Sequence, residues 1–336
     1  MSKRPFSLQI GAGQPLLDLA NYARRGPGRD ARLSAPEIER IARTVGRAPE
    51  VMVKVSGGGK SKGAAIAHLR YIDRNGELDV ETDSGAILKG REVAGDLAAD
   101  WDLDAAAARA RCPYSGRPGR KPAKLVHNVV LSMPTGTPAA KLLAATRAFA
   151  REQFAFKHRY ALVLHTDQKH PHVHLAIKAM SEQGQRLNIR KATLRDWRRQ
   201  FAHHLRAQGI AANATERAAR GESRTPLLDG IYRAARRRMS IRMRQRVEQV
   251  ASDLRRGGLP AESGKTQLLE TRAVVTDGWR TVADALVAQG HLKLAEQVWK
   301  FISRMPPPLT DNERMARAVI EQVAAPRERE QPGISR

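Results

Sequence analysis

Residues 161–176, ALVLHTDQKHPHVHLA, carry four of the chain's ten histidines, His165, His170, His172 and His174. The apolar run 161–164 predicts a buried strand ending at His165, the polar stretch 166–171 a turn, and residues 172–175 the start of a second strand. Side chains two apart on a strand share a face. His172 and His174 therefore project together, while Val173 and Leu175 face a core. In a hairpin, His165 lies across from that pair. Three imidazoles converging from two rigid strands make a metal site with open coordination positions, the form a substrate oxygen needs to reach the ion. His170, directly before Pro171, falls in the turn and outside this ligand set. An accidental histidine-rich tract is the plainer alternative. It accounts poorly for histidines alternating about a valine.

The elements around this hairpin set its surroundings. Residues 51–55 (VMVKV) alternate as a strand and run into SGGGKSKG at 56–63. That spacing matches neither G-x-x-x-x-G-K-[ST] nor G-x-G-x-x-G. It is read as a mobile loop whose amides, with Lys60 and Lys62, meet nucleic-acid phosphates. A helix over 63–74 carries His68 and Tyr71 and stops at Asn75-Gly76; taken alone, Tyr71 reads as a packing residue with a wet hydroxyl. Residues 77–91 are short and polar, 94–110 form an alanine-rich helix, and 111–124 a cationic loop. Residues 124–133 predict a core strand and 139–156 a helix. The second hairpin strand extends to 180, and a helix at 193–208 presents Arg195, Arg198, Arg199 and Arg206. Together these predict an α+β domain over 48–224, an antiparallel β-sheet flanked by helices. Before it lies a basic N-terminal extension, 1–47, with a short helix at 16–23 and a second starting at Ser34, where Glu37 completes a capping box. After it comes a mainly helical basic C-terminal region, 225–324, then a disordered tail, 325–336. The C-terminal region contains an arginine-dense segment at 228–256, helices at 266–289 and 292–305, and a second capping box from Thr310 and Glu313.

Composition narrows the partners. There are 59 Lys+Arg against 34 Asp+Glu, a net charge of +25, while a hydrophobic share of 41% suffices for a packed core. An excess of this size points to a polyanion, and nucleic acid is the obvious one. No apolar run reaches the eighteen or so residues of a membrane span, and the first residues lack a signal-peptide core. A cytoplasmic protein without membrane insertion is expected. The single cysteine, Cys112, excludes an internal disulfide framework and a cysteine-based zinc module.

Four separated stretches then resemble one family. Residues 165–174 resemble the third motif of conjugative relaxases, the histidine-hydrophobe-histidine (HUH) endonucleases that nick one strand of plasmid DNA at an origin of transfer. The branch they look most like contains the T-DNA border endonuclease. Residues 53–59 (VKVSGGG) with 68–78 (HLRYIDRNGEL) resemble the first motif, whose tyrosine is the nucleophile. Residues 129–137 (VVLSMPTGT) resemble the second, with Ser132 in the place of a serine that contacts DNA. Residues 214–221 (ATERAARG), with Arg217 and Arg220, are similar to a basic signature after the nuclease core. Such coincidence in order and spacing is rarely accidental. The chain departs from the pattern at Lys178, where the border-endonuclease type usually has asparagine.

The resemblance implies an HUH relaxase-like fold and gives Tyr71 a role. Its phenolate would attack a scissile phosphodiester, leaving a 5′-phosphotyrosine and a free 3′-hydroxyl. A tyrosine, ordinarily with a pKa near 10, needs a base or a nearby cation for this. A divalent ion, Mg²⁺ or Mn²⁺, held by His165, His172 and His174 would polarise the phosphate. Asp167 would orient a ligand or accept the tyrosine proton, with orientation favoured. The implied partners are single-stranded DNA at an origin of transfer, relaxosome accessory proteins and a type IV secretion coupling protein. Two alternatives compete. A rolling-circle replication initiator shares the histidines and tyrosine but places the tyrosine after them, whereas Tyr71 precedes them; Tyr160 and Tyr232 are the rival nucleophiles. A DNA-binding accessory protein with a structural metal site would bind DNA tightly and form no covalent product.

Overall fold

The structure, a computed structural model, describes residues 32–104, 123–223 and 241–324. The expected helix at 16–23, most of the cationic loop at 111–124, Tyr232, the arginines at 233–238, the 224/225 boundary and the tail lie outside these residues. The described chain divides into two compact units, one spanning 46–214 and the other joining 32–45 to 215–324.

The first unit is built on a six-stranded sheet. Its strands are β1 (Met52–Gly57), β2 (Val80–Thr82), β3 (Ile87–Leu88), β4 (Val126–Ser132), β5 (Tyr160–His165) and β6 (His172–Lys178), in the order β1-β4-β6-β5-β2-β3. Every pairing is antiparallel, so the expected fold class is the observed one. The β2–β3 hairpin occupies the stretch expected to be only short and polar. Its three- and two-residue strands are too brief to display a period, and β2 is a strand because β5 supplies its hydrogen-bond partners.

Alternation along the strands sorts the two faces. Leu162, Val173, Leu175, Val129 and Leu131 point to one side, where α4 (Ala139–Phe154) and α5 (Lys191–Ala207) close the core with Phe149, Phe154, Trp197 and Phe201. Phe154 and Trp197 meet edge to face at 5.4 Å, the arrangement that suits the ring quadrupoles. Ala161, Val163, Ala176 and Val126 point to the other side, against α2 (Lys62–Ile72) and α3 (Val93–Asp100). Small sheet residues there let α2 pack close, through Ala65, Leu69 and Ile72.

Backbone contacts hold the first part of the glycine-rich loop against the start of β4. Gly59 donates to the Val126 carbonyl at 3.1 Å and accepts from Leu125 at 2.7 Å. A Cβ on Gly58, at φ +121°, would lie 2.0 Å from Val126 O, and one on Gly59 2.4 Å from Ala65 N. Glycine is there because backbone passes against backbone.

The second unit is helical. It contains α1 (Ala35–Val45), a 3₁₀ turn (Ala218–Arg220), α6 (Ile241–Arg255), α7 (Ser263–Ala288), α8 (Leu292–Ser303) and α9 (Asp311–Ala324). Leu33 and Ile41 from the N-terminal side share one core with Trp279, Val282, Leu286, Val298 and Phe301. The N-terminal helix thus supplies a wall of this unit, where the sequence suggested a basic arm or a small packing element. Glu37 accepts from the Ser34 amide at 2.8 Å. At α9 the capping box is complete: Thr310 N donates to Glu313 Oε2 at 2.7 Å and Glu313 N to Thr310 Oγ1 at 3.1 Å. Among the described residues no helix is long and apolar enough to cross a membrane.

Candidate active site

Register brings the histidines together. His165 pairs directly with His172, and His174 pairs with Val163 two positions along the same hairpin. All three are buried on the face that α2 covers. Their ring centroids are 4.5–5.1 Å apart, and each ring offers one nitrogen within 4.8 Å of the other two. His170 stays outside, exposed in the turn, with Nδ1 3.3 Å from Thr135 Oγ1.

Each of the three rings is held at its other nitrogen. His165 Nε2 is 2.6 Å from the Ile72 carbonyl and His172 Nδ1 is 3.2 Å from the His170 carbonyl. A carbonyl only accepts, so these nitrogens carry the hydrogens and the lone pairs lie on His165 Nδ1, which Arg74 Nη2 approaches at 3.4 Å, and on His172 Nε2. His174 Nδ1 lies against the Asn128 amide, 3.0 Å from Nδ2 and 3.4 Å from Oδ1, so its Nε2 remains for a ligand. Burial pushes the His165 imidazole below its ordinary value, with His172 and Arg74 adding to the shift. Burial and the neighbouring His165 and His172 push His174 down to about 3. These two rings are neutral at neutral pH, the form a metal binds. The donor set and its outer partners fit a divalent ion.

Asn128 was not singled out in the sequence. Its amide joins His174 to Ser56 Oγ at 2.7 Å. Lys178, at the position where relatives were expected to carry asparagine, sits at the far end of β6, with Nζ 3.0 Å from Glu182. The asparagine of this site thus comes from β4, opposite Ala176.

Tyr71 lies in the last turn of α2 and is 57% exposed. His68, one turn earlier, stacks beside it with centroids 6.4 Å apart. Arg74 follows, with its guanidinium carbon 5.7 Å from the Tyr71 ring centroid. Arg74 Nη2 donates to Asp167 Oδ2 at 2.6 Å and lies 3.4 Å from His165 Nδ1. Burial works against the Asp167 carboxylate, but the Arg74 cation outweighs it and holds the group below the usual carboxylate range. Arg74 lies within the first motif, 68–78, but the sequence alone gave it no role.

Other expected residues lie elsewhere. Ser132 is buried opposite His172, and its hydroxyl donates to the Pro171 carbonyl at 3.2 Å, so it secures the histidine turn. Tyr160 is buried on the face away from the histidines. Lys60 is exposed, and Lys62 forms an ion pair with Asp104. Arg195, Arg198 and Arg199 stand on α5, behind the sheet, Arg198 beside Glu50 and Arg199 beside Asp196. Arg217 precedes the 3₁₀ turn of the second unit and Arg220 is its last residue, paired with Glu222.

Residues 84–210 match the family model described as relaxase, MobA/VirD2-like, nuclease domain. This part of the chain is similar to relaxase nuclease domains of the MobA/VirD2 type. Over 212 residues the chain is 26% identical to the T-DNA border endonuclease VirD2 of Agrobacterium fabrum, covering 59% of this chain and 46% of the relative. Over 204 residues it is 26% identical to the VirD2 of Rhizobium radiobacter, covering 57% and 47%. The chain spans about half the length of the curated relatives it matches.

Proposed function

We propose that the first unit nicks one strand of DNA at an origin of transfer, with Tyr71 as nucleophile, to begin conjugative transfer. The Tyr71 phenolate oxygen forms a bond to phosphorus and the P–O3′ bond breaks. The tyrosine proton passes to water, and the departing 3′-oxygen takes a proton from water. The energy of the phosphodiester is kept in the 5′-phosphotyrosine, so the strand can be rejoined at the same residue. The observation that carries this reading is the hydrogen bond from His165 to the Ile72 carbonyl, which fixes one metal-ligating ring against the residue after Tyr71.

His165, His172 and His174 hold a divalent ion. When bound, such an ion supplies positive charge that polarises the phosphate and stabilises charge building on its oxygens. An all-nitrogen set favours Mn²⁺ over the oxygen-preferring Mg²⁺. Asp167, engaged by Arg74, serves to orient its neighbours and is poorly suited as a base. Ser132 acts by holding the turn beside His172, and Lys60 offers a cation to the backbone of the strand. The arginines on α5 and beside the 3₁₀ turn add to the positive field that draws DNA. Relaxosome accessory proteins and a type IV secretion coupling protein are the proposed partners, in the cytoplasm.

The test is a covalent-adduct assay with Mn²⁺ or Mg²⁺ and single strands tiling the DNA around the protein's own gene. Peptide mass spectrometry should find the DNA on the peptide containing Tyr71, with no adduct from Tyr71→Phe or His172→Ala. An adduct on Tyr160 or Tyr232 would overturn the site. Tight binding with no adduct across strands and metals would favour a DNA-binding accessory protein.

A further inference from the structure

We infer that Arg74 is a further catalytic residue, its guanidinium pairing with the Tyr71 phenolate oxygen and a non-bridging oxygen of the scissile DNA phosphate, and that Asp167 positions it. The inference rests on the nicking function proposed above. Arg74 lies beside the proposed nucleophile, a candidate metal-ligating histidine and a carboxylate at once: its guanidinium carbon is over the Tyr71 ring, 5.7 Å from the centroid, and Nη2 is 3.4 Å from His165 Nδ1 and 2.6 Å from Asp167 Oδ2.

The backbone delivers the side chain there at a cost. Arg74 and Asn75 both adopt φ +57°, a left-handed conformation that is unfavourable for residues with a Cβ. The turn is secured from below by buried Asp73, which accepts from Gly76 N at 3.1 Å, while Asn75 N donates to Arg70 O at 2.8 Å. Two such residues in succession persist where surrounding structure over-determines them, commonly at functional sites. Stability does not explain the arrangement. The Arg74–Asp167 pair leaves the two side chains 31% and 54% exposed, and ion pairs that open to solvent contribute little.

The guanidinium also has capacity left. Its contacts with Asp167 and His165 both run through Nη2, and among the described residues Nη1 and Nε meet no protein acceptor. A planar fork with free donors beside an exposed tyrosine matches the two oxygens that carry negative charge during attack, one phenolic and one on the phosphate. Asp167 touches neither reacting atom and acts by keeping the fork in place.

The experiment uses the full chain with Mn²⁺ and a 3′-labelled single-stranded oligonucleotide containing the nick site. Single-turnover adduct formation is measured for wild type, Arg74→Ala, Arg74→Lys, Asp167→Asn and the Arg74→Ala/Asp167→Asn double variant, with Mn²⁺ affinity measured separately for each. Arg74→Ala should slow the adduct by about 100-fold or more, as for removal of a charge-stabilising donor. Guanidinium ion in solution should restore part of that rate but none of the activity of Tyr71→Phe, and lysine should rescue partially. Asp167→Asn should slow wild type yet add nothing to Arg74→Ala, because coupled residues are non-additive. Adduct formation by Arg74→Ala within about threefold of wild type overturns the inference. So does a loss that guanidinium does not rescue, or one tracking a fall in Mn²⁺ affinity. Wild type that forms no Tyr71 adduct would overturn the nicking function itself, a result distinct from these.

Discussion

The Nε2–H of His165 donates to the carbonyl oxygen of Ile72 at 2.6 Å, tying the end of β5 to the residue that follows Tyr71. The bond does two jobs. It fixes the tautomer that puts the lone pair of His165 on Nδ1, and it sets the last turn of α2 against the histidine face. A proposed metal ligand and the proposed nucleophile are thereby held in one frame, although they are 94 positions apart in the sequence.

Metal should stabilise the first unit. An ion bound to the native site at about 100 times its dissociation constant adds about 2.7 kcal/mol. Calorimetry should show a higher unfolding temperature with Mn²⁺ than with chelator, and His174→Ala should abolish the difference. An undiminished shift in that variant would place the ion elsewhere.

Asn128→Ala should weaken metal binding by about 10- to 100-fold, the usual effect of losing an outer partner of a ligating histidine. The substitution also strands Ser56 Oγ and His174 Nδ1 and should cost about 1–3 kcal/mol of stability. Metal titration and urea denaturation measure the two separately. Unchanged metal affinity would show that the amide does not orient His174.

Acid should destabilise the first unit before its carboxylates titrate. Burial, with Lys124, Arg186 and His158 nearby, pushes His127 down to about 4, and burial with His165 and His172 pushes His174 to about 3. Unfolded, both titrate near 6.5. As pH falls from there towards 4, the unfolded chain takes up protons that the folded chain refuses, so stability present above 6.5 is progressively lost. Denaturation midpoints in chelator at pH 7 and pH 5 check the sign, and His127→Gln should lessen the slope. A midpoint higher at pH 5 than at pH 7 would contradict it.

Two glycines near the start of α2 should respond oppositely to alanine. Gly58→Ala places a Cβ 2.0 Å from Val126 O at a positive φ and should cost more than about 2 kcal/mol. Gly63 has nothing within 4 Å of an added Cβ and lies inside the helix, so Gly63→Ala should be neutral or stabilising by up to about 1 kcal/mol. Equal effects would mean that the loop yields, contrary to its hydrogen bonds with Leu125 and Val126.

Ile41→Ala should destabilise the second unit by about 2–5 kcal/mol, because Ile41 is fully buried in the core that contains Trp279. Tryptophan fluorescence of Trp279 during denaturation follows this unit. An effect below about 0.5 kcal/mol would show that α1 does not form a wall of that core.

Much was legible where a local pattern carries its own physics. The apolar run 161–164 and the alternation of 172–175 foretold a hairpin with its histidines on one face, because strand side chains alternate regardless of what covers them. The Thr310/Glu313 cap was legible for a similar reason: both partners lie within one turn. The β2–β3 hairpin, the packing of α1 on the second unit and the role of Gly58–Gly59 were not. Each depends on atoms distant in sequence, such as β5, Trp279 and Val126.

By itself, then, the sequence determined the residue types of the site: three histidines with strand spacing, a tyrosine on a preceding helix and an excess of positive charge. Only the tertiary structure decided which groups serve them. Asn128 rather than a residue of β6 stands behind His174, and Arg74 rather than the arginines of α5 stands beside Tyr71. Hydrogen bonds and charge interactions act over a few ångströms of space, whereas sequence spacing reports distance only along one helix or strand. Partners drawn from different elements become neighbours only when the sheet order and the left-handed turn after α2 bring them there.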